Sequence, residues 1–341
     1  MRFRSIAVIL LSLGAAATAQ AQGAAADPQC TAAPKQVRDA CQQAIDMFQL
    51  MMPQLGISIA GGNATLGAGG AIGGLPHFAL GIRANAVRGS LPDVSKATPD
   101  TSGIQQRNPY PTTDQFVGLP VVDLAVGVFK GIPLAVSNVG GVDLLLSAAY
   151  IPEITSDNVS VKPDNPLKIG YGARVGILQE SLLVPGIGLS FIKRDLPTTT
   201  IVGATQSPGA PAGTNDSLVV QDFSLKTTAW RLTASKSFIL FSLAAGVGQD
   251  KYDASTAVRA SVTRSFPLPV GTQTFNSGNI SAKQKITRTN YFADVSMNLF
   301  VMKIVGEIGS VSGGDIPTYN TFDPQADASR LYGSLGIRLG F

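Results

Sequence analysis

The chain has 341 residues, of which 14% are charged, 45% hydrophobic and 37 are glycine, with a formal net charge of +4. It has no basic tract to suggest nucleic acid as a partner, and beyond the N-terminus no stretch offers the roughly 20 uninterrupted apolar residues of a membrane helix. The apolar residues fall instead at every second position, which leaves two main architectures: a large β-sandwich, or a barrel whose lipid face takes the place of a buried core.

Residues 1–21 read as a secretory signal peptide. Arg2 and Arg4 precede an apolar run over 6–17, and Ala19-Gln20-Ala21 supplies a small-x-small cleavage site, with cleavage expected after Ala21. Loss of Arg2 and Arg4 leaves the remainder close to neutral. Asp27-Pro28-Gln29 before Cys30 is no lipobox, so a lipid anchor is not expected. The segment 22–74 reads as a periplasmic or plug segment carrying one helix over 34–52, where Val37, Cys41, Ala44, Phe48 and Met51 recur at helical spacing and Pro53 is expected to stop it. Cys30 and Cys41 are the only cysteines. In an oxidising compartment they are expected to form a disulfide at the helix start, and their spacing is not that of a C-x-x-C redox motif. The glycine-rich stretch 57–74 fits either a weak strand or a lead-in packed close to other backbone.

From there the two-residue period dominates. Phe78, Leu80, Ile82 and Ala84 share one face against Arg83 and Asn85. Val122, Leu124, Val126 and Val128 oppose Asp123, and Leu144, Leu146, Ala148 and Tyr150 oppose Asp143 and Ser147. Ile169, Tyr171, Ala173, Val175 and Ile177 oppose Lys168 and Arg174, and Ile187, Leu189 and Phe191 form the next face. Trp230 and Leu232 flank Arg231, and Ile239, Phe241, Leu243 and Val247 alternate with small residues. Tyr291, Val295 and Met297 oppose Arg288, Asn290 and Asp294. Phe300, Met302, Ile304 and Ile308 oppose Lys303 and Glu307, and the last strand, "RLYGSLGIRLGF", carries Arg338 and ends on Phe341.

Connections decide between the two architectures. Long polar segments (89–118, 152–165, 196–216, 267–279, 312–327) alternate with short ones near 131–140, 179–182, 236–237 and 298–299. A membrane barrel has this order, with short periplasmic turns and long outer loops. The expected fold is therefore all-β: an antiparallel transmembrane β-barrel over 75–341, with about ten strands when 238–264 is one long strand, or twelve when 57–74 is a strand and a turn falls at 250–252.

The signal peptide, the alternating strands and the terminal "RLYGSLGIRLGF" resemble the outer-membrane β-barrel proteins of Gram-negative bacteria. The resemblance covers roughly 57–341 and is one of class. It implies an outer-membrane location, contact with outer-membrane lipid, and Phe341 as the assembly signal read by the barrel-assembly machinery. Long-chain fatty-acid transporters share the N-terminal plug but are longer, with more strands. The ten-stranded omptin proteases match the strand number, but their site near the outer rim combines acidic residues with a histidine, and no such motif surrounds His77.

His77 is the only histidine, so a Ser-His-Asp hydrolase such as an outer-membrane phospholipase would have to use it. Ser58 and Ser90 are near in sequence but in no nucleophile motif, and His77 reads as a structural polar residue inside the barrel. No metal-ligand cluster appears, no cofactor is implied, and the glycine runs at 61–62, 69–70 and 73–74 match no phosphate loop. The charges expected to line the lumen are Arg83, Asp123, Asp143, Lys168, Arg174, Arg231, Arg288, Asp294, Lys303, Glu307 and Arg338, seven basic and four acidic. One account of them is a paired network filling a narrow barrel. The other is a narrow, mildly anion-preferring path. The expected function is passage or binding of a small solute across the outer membrane, with no enzymatic activity. The alternatives are a closed structural or adhesive surface barrel, and after it a lipid-modifying hydrolase.

Overall fold

The structure, a computed structural model, describes residues 24–340 apart from 94–97, 135–136, 156–158, 206–209 and 213. The signal-peptide expectation and Phe341 therefore lie outside the described residues. Ten strands form one antiparallel ring: β1 (Phe78–Pro92), β2 (Thr112–Phe129), β3 (Gly141–Tyr150), β4 (Leu167–Leu178), β5 (Gly186–Asp195), β6 (Asp216–Ser237), β7 (Phe241–Ser265), β8 (Ile280–Leu299), β9 (Met302–Ser312) and β10 (Arg330–Gly340). Each pairs with its neighbour in sequence, and β10 closes on β1 from Ala79↔Gly340 to Val87↔Tyr332. The ring has no free edge, which removes the sandwich and the twelve-strand count. Short strands such as Thr199–Thr205 and Thr272–Asn276 widen the wall beyond the ends of β6 and β7, at the rim that also carries the long loops.

Burial is inverted relative to a water-soluble fold. The outward residues Leu335 and Ile308 are 65% and 64% exposed, whereas the inward Asp143 and Arg231 are 0% and 1% exposed. Aromatic residues flank this outer belt: Tyr150, Tyr171, Trp230 and Tyr291 toward the long loops, Phe78, Phe129, Phe241 and Phe300 toward the short turns. A continuous apolar outside with aromatic margins is stable in hydrocarbon, not in water. No helix among the described residues is long and apolar enough to cross a membrane; the strands make the crossing.

The helical segment departs from the sequence reading. Helix α1 (Pro28–Ala32) leads through a 3-10 turn at Lys35–Val37 into α2 (Arg38–Ala60). Cys30 and Cys41 are joined, with Cα atoms 5.5 Å apart, and both are fully buried. The helix does not stop at 52, because Pro53 lies within it. Proline at that position cannot donate to the carbonyl of Gln49, and Gln284 of β8 takes over, its Nε2 donating to Gln49 O at 3.0 Å. The wall thus repairs the break that the sequence rule predicts.

Of the placements open to the segment, periplasmic or plug, α2 takes the interior: it runs inside the ring and touches β1, β2, β6, β7 and β8. Phe48, Leu50, Met52, Ile57 and Ile59 form a core with the inward Val87, Leu225, Tyr252, Phe292, Val311 and Tyr332. Gly56 makes this approach possible, since a Cβ there would sit 2.8 Å from the Tyr252 ring. The start of the helix meets the long loops: Asp39 accepts from the amides of Asp100 (2.7 Å) and Gln105 (3.0 Å), and Asp46 from those of Tyr319 (3.0 Å) and Asn320 (2.9 Å). Its end, followed by the irregular segment 61–74, descends to the short-turn rim, where the chain enters β1.

The belt predicts a depth-dependent cost. Leu335→Arg and Ile82→Arg should each destabilise the barrel by about 2–4 kcal/mol, whereas Thr287→Arg, outward on β8 but beyond the belt, should change it by about 0–1 kcal/mol. Denaturant unfolding in lipid vesicles measures this, and equal costs at all three positions would contradict the lipid-facing assignment.

Candidate functional site in the barrel lumen

Parity brings the charged residues inward. Along each strand alternate side chains face opposite sides of the wall, so with Ile82 and Leu335 in lipid, Arg83 and Ser334 must face the lumen. A buried charge needs a partner. Arg83 Nε lies 2.8 Å from Asp123 Oδ2, and Arg194 Nη2 lies 2.9 Å from Asp123 Oδ1. Arg174 Nη2 is 2.7 Å from Asp143 Oδ2, and Arg231 Nη2 is 2.5 Å from Asp250 Oδ1.

These side chains have a second partner, the backbone of 60–72. Arg83 donates to the carbonyls of Gly61 (3.3 Å) and Asn63 (3.0 Å). Arg231 donates to those of Ala60 (3.3 Å) and Gly62 (3.2 Å), Arg338 to Leu66 (2.7 Å) and Arg174 to Ala68 (3.4 Å). The acids and one hydroxyl take the amides. Asn63 N donates to Glu307 Oε2 (2.7 Å), Gly67 N to Asp294 Oδ2 (3.1 Å), Gly69 N to Ser235 Oγ (2.8 Å) and Ile72 N to Asp143 (3.2 Å). Asn63 Nδ2 adds a bond to Asp294 at 2.9 Å. The wall therefore holds an irregular strap of chain by its peptide groups, cations on carbonyls and anions on amides. Such backbone would otherwise be costly to bury without partners. Glycine suits it because the strap touches the wall directly: a Cβ on Gly69 would lie 2.7 Å from the Gly186 carbonyl.

Of the charges expected in the lumen, Arg83, Asp123, Asp143, Arg174, Arg231, Asp294, Glu307 and Arg338 meet in this clamp. Arg288 is buried nearer the long loops and donates to the carbonyls of Asp327 and Ala328, both at 2.8 Å. Lys303 is half-buried near the short-turn rim, its Nζ 3.3 Å from Ser242 Oγ. Lys168 is exposed at the long-loop end of β4 and joins no charge network among the described residues. Sequence reasoning missed Arg194 and Asp250. The two-residue count continued from Phe191 and Val247 reaches both, since Lys193 and Gln249 continue the outward faces.

Around the helix start, Arg107 Nη2 pairs with Asp39 Oδ2 at 2.9 Å. The Tyr110 hydroxyl donates to Gln43 Oε1 at 3.1 Å, and burial pushes it above the ordinary tyrosine range. Asp100, in the same long loop, is held below the usual carboxylate range by hydrogen bonds from the Ser102 hydroxyl and amide. His77 lies at the short-turn rim, its Nδ1 3.0 Å from the Gly74 carbonyl. Ser58 is buried in α2 and bonds the carbonyls of Gln54 and Val117. Ser90 bonds Gln54 through its backbone. Neither serine meets His77.

No family model matches the chain, and no curated protein matches it. Among solved structures it is similar to the transport unit of the autotransporter AIDA-I from Escherichia coli, at 8% identity over 91% of this chain and 99% of that one, with a TM-score of 0.36. It is similar to the toluene transporter TodX from Pseudomonas putida, at 9% identity over 83% and 97%, with a TM-score of 0.32. An anion-selective porin from Comamonas acidovorans gives 11% identity over 78% and 98%, with a TM-score of 0.16. Overlays this loose place no residue. The closed ring and its apolar belt make the chain a β-barrel of the outer-membrane kind, and they assign no family.

The clamp predicts an asymmetry between inner and outer charges. Arg174→Ala leaves Asp143 buried without its cation and should cost about 3–5 kcal/mol. Arg88→Ala breaks an exposed pair with Asp114 and should cost about 0–1 kcal/mol. Unfolding midpoints of the two variants in the same lipid check this, and similar costs would deny the buried pair its role.

Proposed function

We propose that the protein resides in the outer membrane and binds or passes a small solute, with the strap 61–74 acting as a yielding stopper inside the barrel. The observation that carries this reading is the polar clamp. Each strap bond to a charged side chain is worth about 1.5–3 kcal/mol net, and water can replace such bonds one at a time, whereas a buried apolar contact has no substitute in water. Once the strap moves, Arg83–Asp123–Arg194, Arg174–Asp143 and Arg231–Asp250 keep each other as partners and line a hydrated path. Outer-membrane lipid around the belt, the barrel-assembly machinery at the terminal strand and the solute itself are the partners this reading implies.

A closed structural barrel is the second reading, favoured by the apolar packing of α2 against Tyr252, Phe292 and Tyr332. Recordings in planar bilayers separate the two. The unmodified protein should show rare openings, and the double variant Asp294→Ala with Glu307→Ala, which removes the acceptors of Asn63 and Gly67, should open far more often. Silence from both, with heat-modifiable migration showing that both are folded, would favour the closed barrel.

Orientation gives an independent check. Long loops face outward in such barrels, and Ala24 N lies 2.9 Å from the Thr318 carbonyl at the long-loop rim. An epitope inserted between Ala24 and Asp27 should be recognised by antibody on intact cells. Recognition only after permeabilisation would reverse the barrel or the helix.

A further inference from the structure

A cavity of about 340 Å3 lies at the short-turn rim, bordered by the lower strap and by Lys303, Arg338, His77, Glu180, Ser235 and Ser237. Its two cations are placed unusually. Lys303 and Arg338 are directly opposite partners on β9 and β10 and face the same side of the wall. Like charges so placed repel. Among the described residues neither forms an ion pair: Lys303 Nζ meets only the Ser242 hydroxyl, and Arg338 Nη1 meets the Leu66 carbonyl. Arg338 Nε is buried and has no acceptor among the described residues. Among the described residues the one carboxylate on the cavity, Glu180, forms no ion pair with either cation; it accepts from the amide of Ser237 and, at 3.3 Å, from the hydroxyl of Ser235.

We propose that this cavity binds a phosphate group between Lys303 and Arg338. A tetrahedral oxyanion offers several acceptors at once. It would satisfy the free donors of the ammonium and the orphaned guanidinium N–H, and it would turn the repulsion between the two cations into a shared attraction. The site opens to the inner rim, where both a free phosphate ester and the headgroup of an inner-leaflet phospholipid can reach it. The proposal deepens the solute-binding part of the function above and does not depend on movement of the strap.

Calorimetric titration of the full-length protein in zwitterionic-detergent micelles tests it, with inorganic phosphate as one probe and phosphatidylglycerol in mixed micelles as the other. Lys303→Gln carries the test, because it leaves every contact to the strap in place. Arg338→Gln also removes the bond to Leu66 and is informative only where heat-modifiable migration shows a folded barrel. The unmodified protein should bind, Lys303→Gln should weaken binding by about tenfold or more, and Lys168→Gln, on the exposed lysine, should change nothing. Binding of both probes with this pattern assigns the site to the phosphate group itself, and binding of the lipid alone assigns it to a headgroup. Binding of neither probe, or equal binding by Lys303→Gln, overturns the proposal. Silent bilayers alongside phosphate binding would remove the passage reading and leave this site standing.

Discussion

The lower lumen of this barrel is organised by one requirement, that a buried ionised side chain have partners. The wall of a narrow barrel has lipid outside and protein inside, so Arg83, Asp143, Arg231 and Asp294 cannot reach bulk water. Cross-strand pairing answers part of the need. It does so incompletely, because a guanidinium has five donors and a carboxylate about four acceptor sites, more than one opposite charge can use. The backbone of 60–72 supplies much of the rest, leaving Arg83 Nη2 and Arg194 Nη1 without an acceptor among the described residues. A strap of peptide groups offers carbonyls and amides in alternation, and the wall presents cations and anions in matching places.

The same requirement explains why the strap is irregular and glycine-rich. A helix would consume its own peptide groups and leave the wall charges unanswered, and a strand would demand a neighbouring edge in a ring that has none. At Gly62, with φ +65°, a Cβ would overlap the Glu307 carboxylate. Glycine at 62 leaves Glu307 room to reach the neighbouring amide of Asn63. The upper lumen is filled on the opposite principle. There α2 does consume its own peptide groups, and its side chains meet Tyr252, Phe292 and Tyr332 as an ordinary apolar core.

Much of this was legible in the sequence. Alternation from Phe78 to Leu339 marks strands, their outward faces and most of the lumenal charges, because the side-chain period of a strand is fixed by geometry. The order of long and short connections narrows the strand number to ten or twelve, and the closed ring decides for ten. What alternation cannot carry is the partner of each inward charge. Glu307 and Asp294 stand opposite each other without a cation, a placement that looks like an error until Asn63 and Gly67 are seen to donate to them. A backbone partner leaves no side-chain pattern to read. The end of α2 was hidden for a related reason: Pro53 is a local stop signal, and its rescue by Gln284 comes from a residue 231 positions away along the chain.

The two halves of the filling differ in how readily they yield. Withdrawing the buried apolar side chains of α2 into water forfeits about 1.5–3 kcal/mol apiece, with no compensation from the solvent. Withdrawing the strap exposes peptide groups that water solvates well, and the wall charges left behind retain their cross-strand partners. Asp294, Glu307 and Arg338 are the exceptions, Arg338 standing opposite Lys303. The two acids keep only each other, and two carboxylates placed opposite each other repel unless a shared proton, water or a cation lies between them. The strap is therefore held most firmly at Asn63 and Gly67 and least firmly toward Ile72, where Asp143 loses an amide but keeps Arg174 at 2.7 Å. Any loosening of the lumen should begin at the short-turn rim and travel upward to the acid pair, while the helix above it stays in place.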